Sequence, residues 1–406
     1  MFTILREYAD VEIKERGCED MTFIKGYRRE NGKMGIRNHL LILPTVVCAN
    51  QVTSRIQQQV PGSVAIPHQH GCSQVGADKE RTHKVLVGMG KNPNVGAVLI
   101  VSLGCEVINA EDIKQEIEVT GKPVVWIDIQ HEGGSVKTIQ KGVEVAKELL
   151  KKIEEIPLID IPLSELIVGV KCGGSDATSG LCSNPALGRA ADTILNAGGT
   201  IVMGETTEII GAEHLVAAKA INQQVQQKLY QCVEQFEREV ERMGVDMRGG
   251  NPSPGNIAGG LSTIEEKSLG CISKAGTAML QDVVDFAEEI PSTGYYFMDS
   301  PGNDIECVTG MAAAGVHVVC FTTGRGTPTG NPIIPVIKIT GNEMTGRRMA
   351  DNIDVDVSPV LQGKESLDES GERIFESIVN VAKGQQTKAE VLGHQEFSIS
   401  RIGISL

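Results

Sequence analysis

LLILPTVVC, residues 40–48, decides the fold: an almost wholly apolar run of eight residues leads straight into a cysteine. A run this short and this apolar reads as a strand buried on both faces, as in a parallel sheet covered by helices. The pattern recurs: VAIPHQHG (64–71) leads into Cys72, and VLIVSLG (98–104) into Cys105. In an open parallel sheet the carboxyl ends of the strands line the crevice where ligands bind, so residues distant in sequence meet there. Three soft thiolates at such an edge suit iron, an iron–sulfur cluster or zinc, and three protein ligands leave one metal position open. Cys48, Cys72 and Cys105 are therefore the candidate metal ligands. The competing reading is three small hydrophobes at strand ends, since free cysteine is among the most buried residue types.

Outward from there the chain alternates. Strand-like runs at 123–129, 166–171, 200–204, 316–322 and 335–340 are separated by helical patterns at 78–91, 109–119, 135–153, 185–197 and 212–243. The expectation is an α/β protein with two Rossmann-like parallel-sheet domains, helices on both faces and long Gly/Pro-rich active-site loops. KKIEEIPLIDIPLSE (151–165), a charged helix end followed by prolines, reads as a linker. It divides the chain into an N-terminal domain, 1–162, and a C-terminal domain, 163–406. Residues 1–20 read as a polar helical lead-in. The stretch 245–335 reads as a set of Gly-rich loops whose backbone can approach a ligand closely.

Bulk properties exclude several classes. A formal net charge of −14 argues against a nucleic-acid footprint. No apolar run approaches the length of about 18 residues that a membrane span needs, and the charged N-terminus lacks a signal-peptide core. The expected location is the cytoplasm, where the ten cysteines are buried, metal-binding or catalytic rather than paired.

Several motifs carry candidate chemistry. Arg37 and Asn38 directly precede the first strand, where a guanidinium fork and an amide suit a carboxylate and a hydroxyl. His68 and His70 lie two apart in PHQHGC and share a side, so either can act as acid, base or ligand. In SLGCE (102–106), peptide N–H groups after Gly104 favour an anion or thiolate, and Glu106 is a candidate base. VKCGGSDATSGLCSNPALG (170–188) is a strand, a Gly-rich turn and a helix start. It carries Lys171, Cys172 as a further thiolate, and Ser175, Asp176 and Ser179 in the turn. It lacks the nucleotide phosphate-loop spelling, so an acid substrate fits better than ATP. Glu205, Glu208 and Glu213 cluster after another strand and suit a divalent cation or proton abstraction. Lys267, Lys274 and Arg325 can neutralise an acidic substrate and a developing enolate. For each motif an ordinary salt bridge, helix cap or surface charge is the competing reading.

These stretches together resemble the large catalytic region of the altronate/galactarate dehydratase family. The resemblance rests on GYRRENGKMGIRNHLLILPTVVC (26–48), HQHGC (68–72), NPNVGAVLIVSLGCE (92–106) and KCGGSDATSGLCSNPALG (171–188). It continues through GGTIVMGETTEIIGAEH (198–214), NPSPGNIAGGLSTIEEKSLGCISKAGT (251–277) and TTGRGTPTGNPIIPVIKITGN (322–342). It implies a hydro-lyase that removes the proton α to a sugar-acid carboxylate and expels the β-hydroxyl, giving a 2-keto-3-deoxy acid. It also implies iron, mononuclear or as an open 4Fe–4S cluster, or manganese in some members. Residues falling in family motifs are Arg37, Asn38, His68, His70, Cys72, Cys105, Glu106, Lys171, Cys172, Asp176, Glu205, Glu208, Lys267 and Arg325. The expected catalytic set is His68, His70, Glu106, Lys171 and Glu205. The expected substrate-binding set is Arg37, Asn38, Ser175, Asp176, Ser179, Lys267 and Arg325. Full-length members carry a small N-terminal domain of the β-clip type, which about 24 residues before GYRRENG are too few to form; the expectation is that either a separate small subunit supplies it or this chain works without it. Sulfolactate sulfo-lyase large subunits resemble the same region and expel sulfite. A non-catalytic sugar-acid-binding or zinc protein is a further alternative. A nucleotide-dependent dehydrogenase is disfavoured because no G-x-G-x-x-G follows the first strand. A homodimer is the default assembly.

Overall fold

The computed structural model describes residues 23–404; the expected helical lead-in lies outside them. In chain order the strands are β1 (Phe23–Arg28), β2 (Met34–Gly35), β3 (His39–Pro44), β4 (Ser63–Ala65), β5 (Val95–Ser102), β6 (Val124–Asp128) and β7 (Leu158–Pro162). They continue with β8 (Ile167–Cys172), β9 (Thr200–Gly204), β10 (Leu280–Val284), β11 (Gly294–Met298), β12 (Val318–Thr322), β13 (Val336–Thr340) and β14 (Val355–Asp356). The protein is α/β, with a four-stranded and a seven-stranded parallel sheet, both flanked by helices.

The smaller sheet has the order β4-β3-β5-β6. Every residue of β5 is buried, as a strand covered on both faces requires. Side chains alternate: Leu40 and Ile42 pack under helices Asn50–Gln59 and Ser135–Glu154, while Leu41 and Leu43 pack against helix Gly76–Lys91 on the other side. The larger sheet has the order β10-β11-β9-β8-β12-β13-β14. One face, through Val170, Met203 and Ile339, buries helices Asn184–Asn196 and Leu367–Ala382; the other, through Val202, Val319 and Phe321, buries helix Asp304–Ala313.

Helix Asp304–Ala313 packs in turn on helix Gly76–Lys91, so the two sheets share one apolar core. The contact is close: a Cβ on Gly88 would lie 2.4 Å from the Ala313 carbonyl oxygen. Two buried asparagines lock it. Asn92 Nδ2 donates to the carbonyls of Ala312 (2.7 Å) and Val316 (3.0 Å). Asn94 Nδ2 donates to His317 O (2.9 Å) and Ile333 O (3.1 Å), while its Oδ1 accepts from Ile36 N (2.9 Å). The C-terminal segment returns to the first sheet, where Ile402 N and Gly403 N donate to Asp78 at 2.9 and 2.6 Å.

Three expectations are corrected. The segment read as a linker contains β7, which pairs antiparallel with β1 in a third sheet, β2-β1-β7. The loop-rich stretch 245–335 holds two strands of the main sheet, β10 and β11, and the shared helix. The single helical pattern at 212–243 is two helices, Glu213–Ala217 and Gln223–Arg242. Among the described residues no helix is long and apolar enough to cross a membrane.

Replacing Asn94 by alanine strands buried N–H and C=O groups on both sides of the junction. The expected loss is about 2–4 kcal/mol, read as a fall in the denaturation midpoint; an unchanged midpoint contradicts the locking role.

Candidate active site

Each parallel sheet has a topological switch point, where the strand order reverses and the carboxyl ends open a crevice. In the smaller sheet it lies between β3 and β5, and in the larger between β8 and β12. The loops leaving these four strands and their neighbours β4 and β9 hold most of the residues the sequence singles out.

The edge of the larger sheet is a buried chain of charges. Lys171 and Cys172 end β8 and, as successive strand residues, project to opposite faces. Lys171 Nζ donates to Glu205 Oε2 (2.7 Å) and Asp304 Oδ1 (2.6 Å), and lies 5.1 Å from the Phe321 ring centre. Cys172 Sγ sits 3.0 Å from Glu208 Oε2, 3.2 Å from Cys271 Sγ and 3.2 Å from Lys274 Nζ. Lys274 also donates to Glu208 Oε2 at 2.8 Å. All of these side chains except Asp304 are buried. Glu205 holds a φ of 71°, a left-handed conformation rare outside glycine, and its N–H is tied to Ser300 Oγ at 2.7 Å. Such strain persists only where surrounding contacts impose it.

The charges sort themselves. Burial, reinforced by the neighbouring Glu208 charge, pushes the Glu205 carboxyl well above the usual carboxylate range despite Lys171. Burial works against charge on Glu208 as well, but Lys274, Lys171 and Lys267 outweigh it and hold Glu208 ionised. Burial likewise opposes charge on Lys171 and Lys274; Glu205 and Glu208 overcome it at Lys171, and Cys172 and Glu208 at Lys274. The arrangement is a carboxyl of raised pKa, Glu205, beside fixed ammonium groups.

Next to this chain lies a cleft of about 300 Å³ lined by Ser175, Asp176, Ser179, Asn184, Lys267 and Cys271. Ser175 Oγ is buried and has no partner among the described residues. Asp176 is fully engaged: it accepts from Thr178 Oγ1 (2.6 Å), Ser179 N (3.2 Å) and Asn342 Nδ2 (2.8 Å). It shapes the loop rather than offering itself to a ligand. Gly324 allows this, since a Cβ there would meet the Asp176 carboxylate at 2.1 Å. Ser179 is bound to Asp176 N at 3.1 Å. Lys267 reaches Asn251 Oδ1 at 3.1 Å, and Arg325 is exposed, donating to Gly255 O at 3.2 Å.

The edge of the smaller sheet differs from expectation. Cys48, Cys72 and Cys105 are exposed, and their sulfurs do not form a group with donor atoms within 4.8 Å of one another. Glu106 folds back as a turn clamp, accepting from Leu103 N (3.1 Å), Gly104 N (2.7 Å) and Cys105 N (3.0 Å). It fills the anion position that the sequence leaves open. His68 is locked: Nε2 donates to Pro44 O at 2.8 Å, Nδ1 accepts from His70 N at 3.2 Å, and burial lowers its pKa to about 4. The tautomer follows from those partners. His70 Nε2 donates to Ile399 O at 2.8 Å, leaving Nδ1 buried and unpartnered.

Arg37 and Asn38 stand at the amino end of β3, about 20 Å of strand from the crevice. Arg37 grips Glu390 (2.7 Å) and Val381 O (3.0 Å), and Asn38 holds Ile153 O (2.7 Å), so both are structural ties. Two site residues escaped the sequence reading, Cys271 and Asp304. For Cys271 a signal existed: the tetrapeptide SLGC occurs twice, at 102–105 and 268–271. Only the first follows an obvious strand; the second ends a helix.

Two family models together span most of the described chain. "D-galactarate/Altronate dehydratase, C-terminal" matches residues 163–405, and "D-galactarate dehydratase/Altronate hydrolase, second domain" matches 26–154. The chain belongs to the D-galactarate/altronate dehydratase family. It is 41% identical over 385 residues to a protein of Chromohalobacter salexigens named (2R)-sulfolactate sulfo-lyase subunit beta, covering 94% of this chain and 97% of that one. It is 36% identical over 399 residues to the altronate dehydratase of Bacillus subtilis, covering 96% and 79%. With the galactarate dehydratase (L-threo-forming) of Escherichia coli the figures are 32% over 388 residues, 91% and 74%. All are lyases by name, and this chain is a lyase.

Under native conditions a thiol reagent should modify Cys48, Cys72 and Cys105 rapidly. Cys172, Cys271, Cys307 and Cys320 should react only after unfolding, as peptide mass spectrometry will show; early labelling of Cys271 contradicts the buried chain.

Proposed function

We propose that this lyase dehydrates a sugar acid of the altronate or galactarate type to a 2-keto-3-deoxy acid. The observation that carries the reading is Glu205, a buried carboxyl 2.7 Å from Lys171 Nζ whose pKa burial and Glu208 push well above the usual carboxylate range. Hydroxide is a poor leaving group and needs a proton as it departs. In this reading Glu205 gives that proton, and Lys171, 2.7 Å away, pairs with the carboxylate that forms. Lys267 and the unpartnered Ser175 hydroxyl, both lining the cleft, hold the substrate carboxylate and a hydroxyl. Lys171 also counters charge on the aci-carboxylate. An unprotonated base must take the α-proton, and in this reading His70, whose Nδ1 has no partner among the described residues, serves as that base. A divalent metal, when bound, supplies a Lewis acid to the departing hydroxyl.

A second reading rests on the 41% identity to the sulfo-lyase subunit beta, namely release of sulfite from a sulfolactate-type acid. Sulfite leaves as a stable anion and needs no such proton. That relative's name also marks it as one subunit of a larger enzyme, which accords with a separate small partner chain for this protein.

A substrate panel assayed for 2-keto-3-deoxy acid and for sulfite separates the two. Glu205→Gln imitates the protonated carboxyl, so the fold should persist while dehydration falls about 10²–10⁴-fold. Sulfite release that survives the substitution favours the second reading. Full dehydration by the variant overturns the acid role.

A further inference from the structure

We infer that Cys172, Cys271 and Glu208 form a binding site for one divalent transition ion of the Fe²⁺ or Zn²⁺ type, in place of the three exposed thiols. The inference rests on the lyase reading above and names the residues that would serve it. Among the described residues this trio is the group of Cys, His and acidic side chains whose donor atoms all lie within 4.8 Å of one another. All three are buried. The sulfurs are 3.2 Å apart and Cys172 Sγ is 3.0 Å from Glu208 Oε2. A tetrahedral ion with metal–sulfur bonds of about 2.3 Å separates its ligands by roughly 3.5–3.8 Å, so the trio would open by about half an ångström.

Formal charge supports the assignment. Lys171, Lys267 and Lys274 face Glu205, Glu208, Asp304, Cys172 and Cys271. With Glu205 reserved as the uncharged acid, three positive charges face four groups that can become anionic once a metal takes the thiol protons, and a cation offsets the remaining negative charge. Two thiolates and one carboxylate select a borderline-soft ion over magnesium or calcium. Three protein ligands leave a position open, and Cys271 lines the cleft beside Ser175 and Lys267, so the site borders the substrate space. Lys274 bonds both Cys172 and Glu208 from one side and fixes their orientation, the role outer-shell donors play at metal sites. The exposed thiols offer neither the spacing nor the shelter.

The test is an anaerobic titration of the chelator-treated, reduced full chain with Co²⁺, read by thiolate-to-cobalt charge-transfer absorption. One equivalent should give the band. Cys271→Ser should abolish it, Glu208→Gln should weaken binding at least about tenfold, and a Cys48→Ser/Cys72→Ser/Cys105→Ser triple variant should keep it. Circular dichroism confirms that each variant is folded, and Cys172→Ser serves if Cys271→Ser is not. No band in the wild type, or a band lost in the triple variant and kept in Cys271→Ser, overturns the site. Because the readout is independent of turnover, cobalt binding by a chain that fails every substrate assay leaves the site standing and removes the functional reading. Turnover without cobalt binding does the reverse.

Discussion

Three ammonium groups at one sheet edge, those of the buried Lys171 and Lys274 and the half-buried Lys267, govern the second half of the molecule. A lone charge in such surroundings costs several kcal/mol, and removing one partner of a buried pair costs about 3–5. The carboxyl groups of Glu205, Glu208 and Asp304 must therefore be delivered to fixed points. Delivery explains the local architecture. The residue that follows β9, Glu205, is held at a φ of 71° with its side chain on Lys171. Asp304 stands at the start of the helix that both sheets share, so the charge chain and the junction between sheets are set by one element. Gly88 and Asn92 then seat that helix against the first sheet.

Much of this was legible in the sequence, for physical reasons. Strands buried on both faces must be apolar throughout, so β3, β5, β8, β9, β12 and β13 stand out. Polar residues at or just past their ends stand at the carboxyl edge, which marks Lys171 at the end of β8, Ser175 beyond it and Glu205 after β9. What was hidden lacks that signature. β10 reads LQDVV, with half-buried Gln281 and Asp282, and β11 is flanked by Gly and Pro. β7 lies mostly exposed within a proline-bounded segment and is held by pairing with β1 rather than by burial.

Site residues were harder to weigh because the same residue types serve structure and chemistry. Arg37 and Glu106 occupy positions where a substrate carboxylate or a base would be sought, yet each is consumed by partners from elsewhere in the chain: Glu390 and Val381 for Arg37, Thr45 and the 103–105 backbone for Glu106. Cysteine position misled in the same way. The three strand-end cysteines attract notice by their regular placement, but they are exposed, whereas Cys271, at a helix end, meets Cys172 in the interior. Spacing along the chain marks which residues reach an edge; it does not say which of them are left with an unsatisfied valence once the edge has closed.

The account holds that proton abstraction and departure of the leaving group are served by different residues, with Glu205 reserved for the second step. The most direct measurement is an NMR assay in D₂O of the Glu205→Gln variant with the acid that the wild type turns over. The account predicts deuterium entering the carbon α to the carboxylate of unreacted substrate while almost no product forms. Elimination at the wild-type rate, or loss of both exchange and elimination in a folded variant, would contradict it.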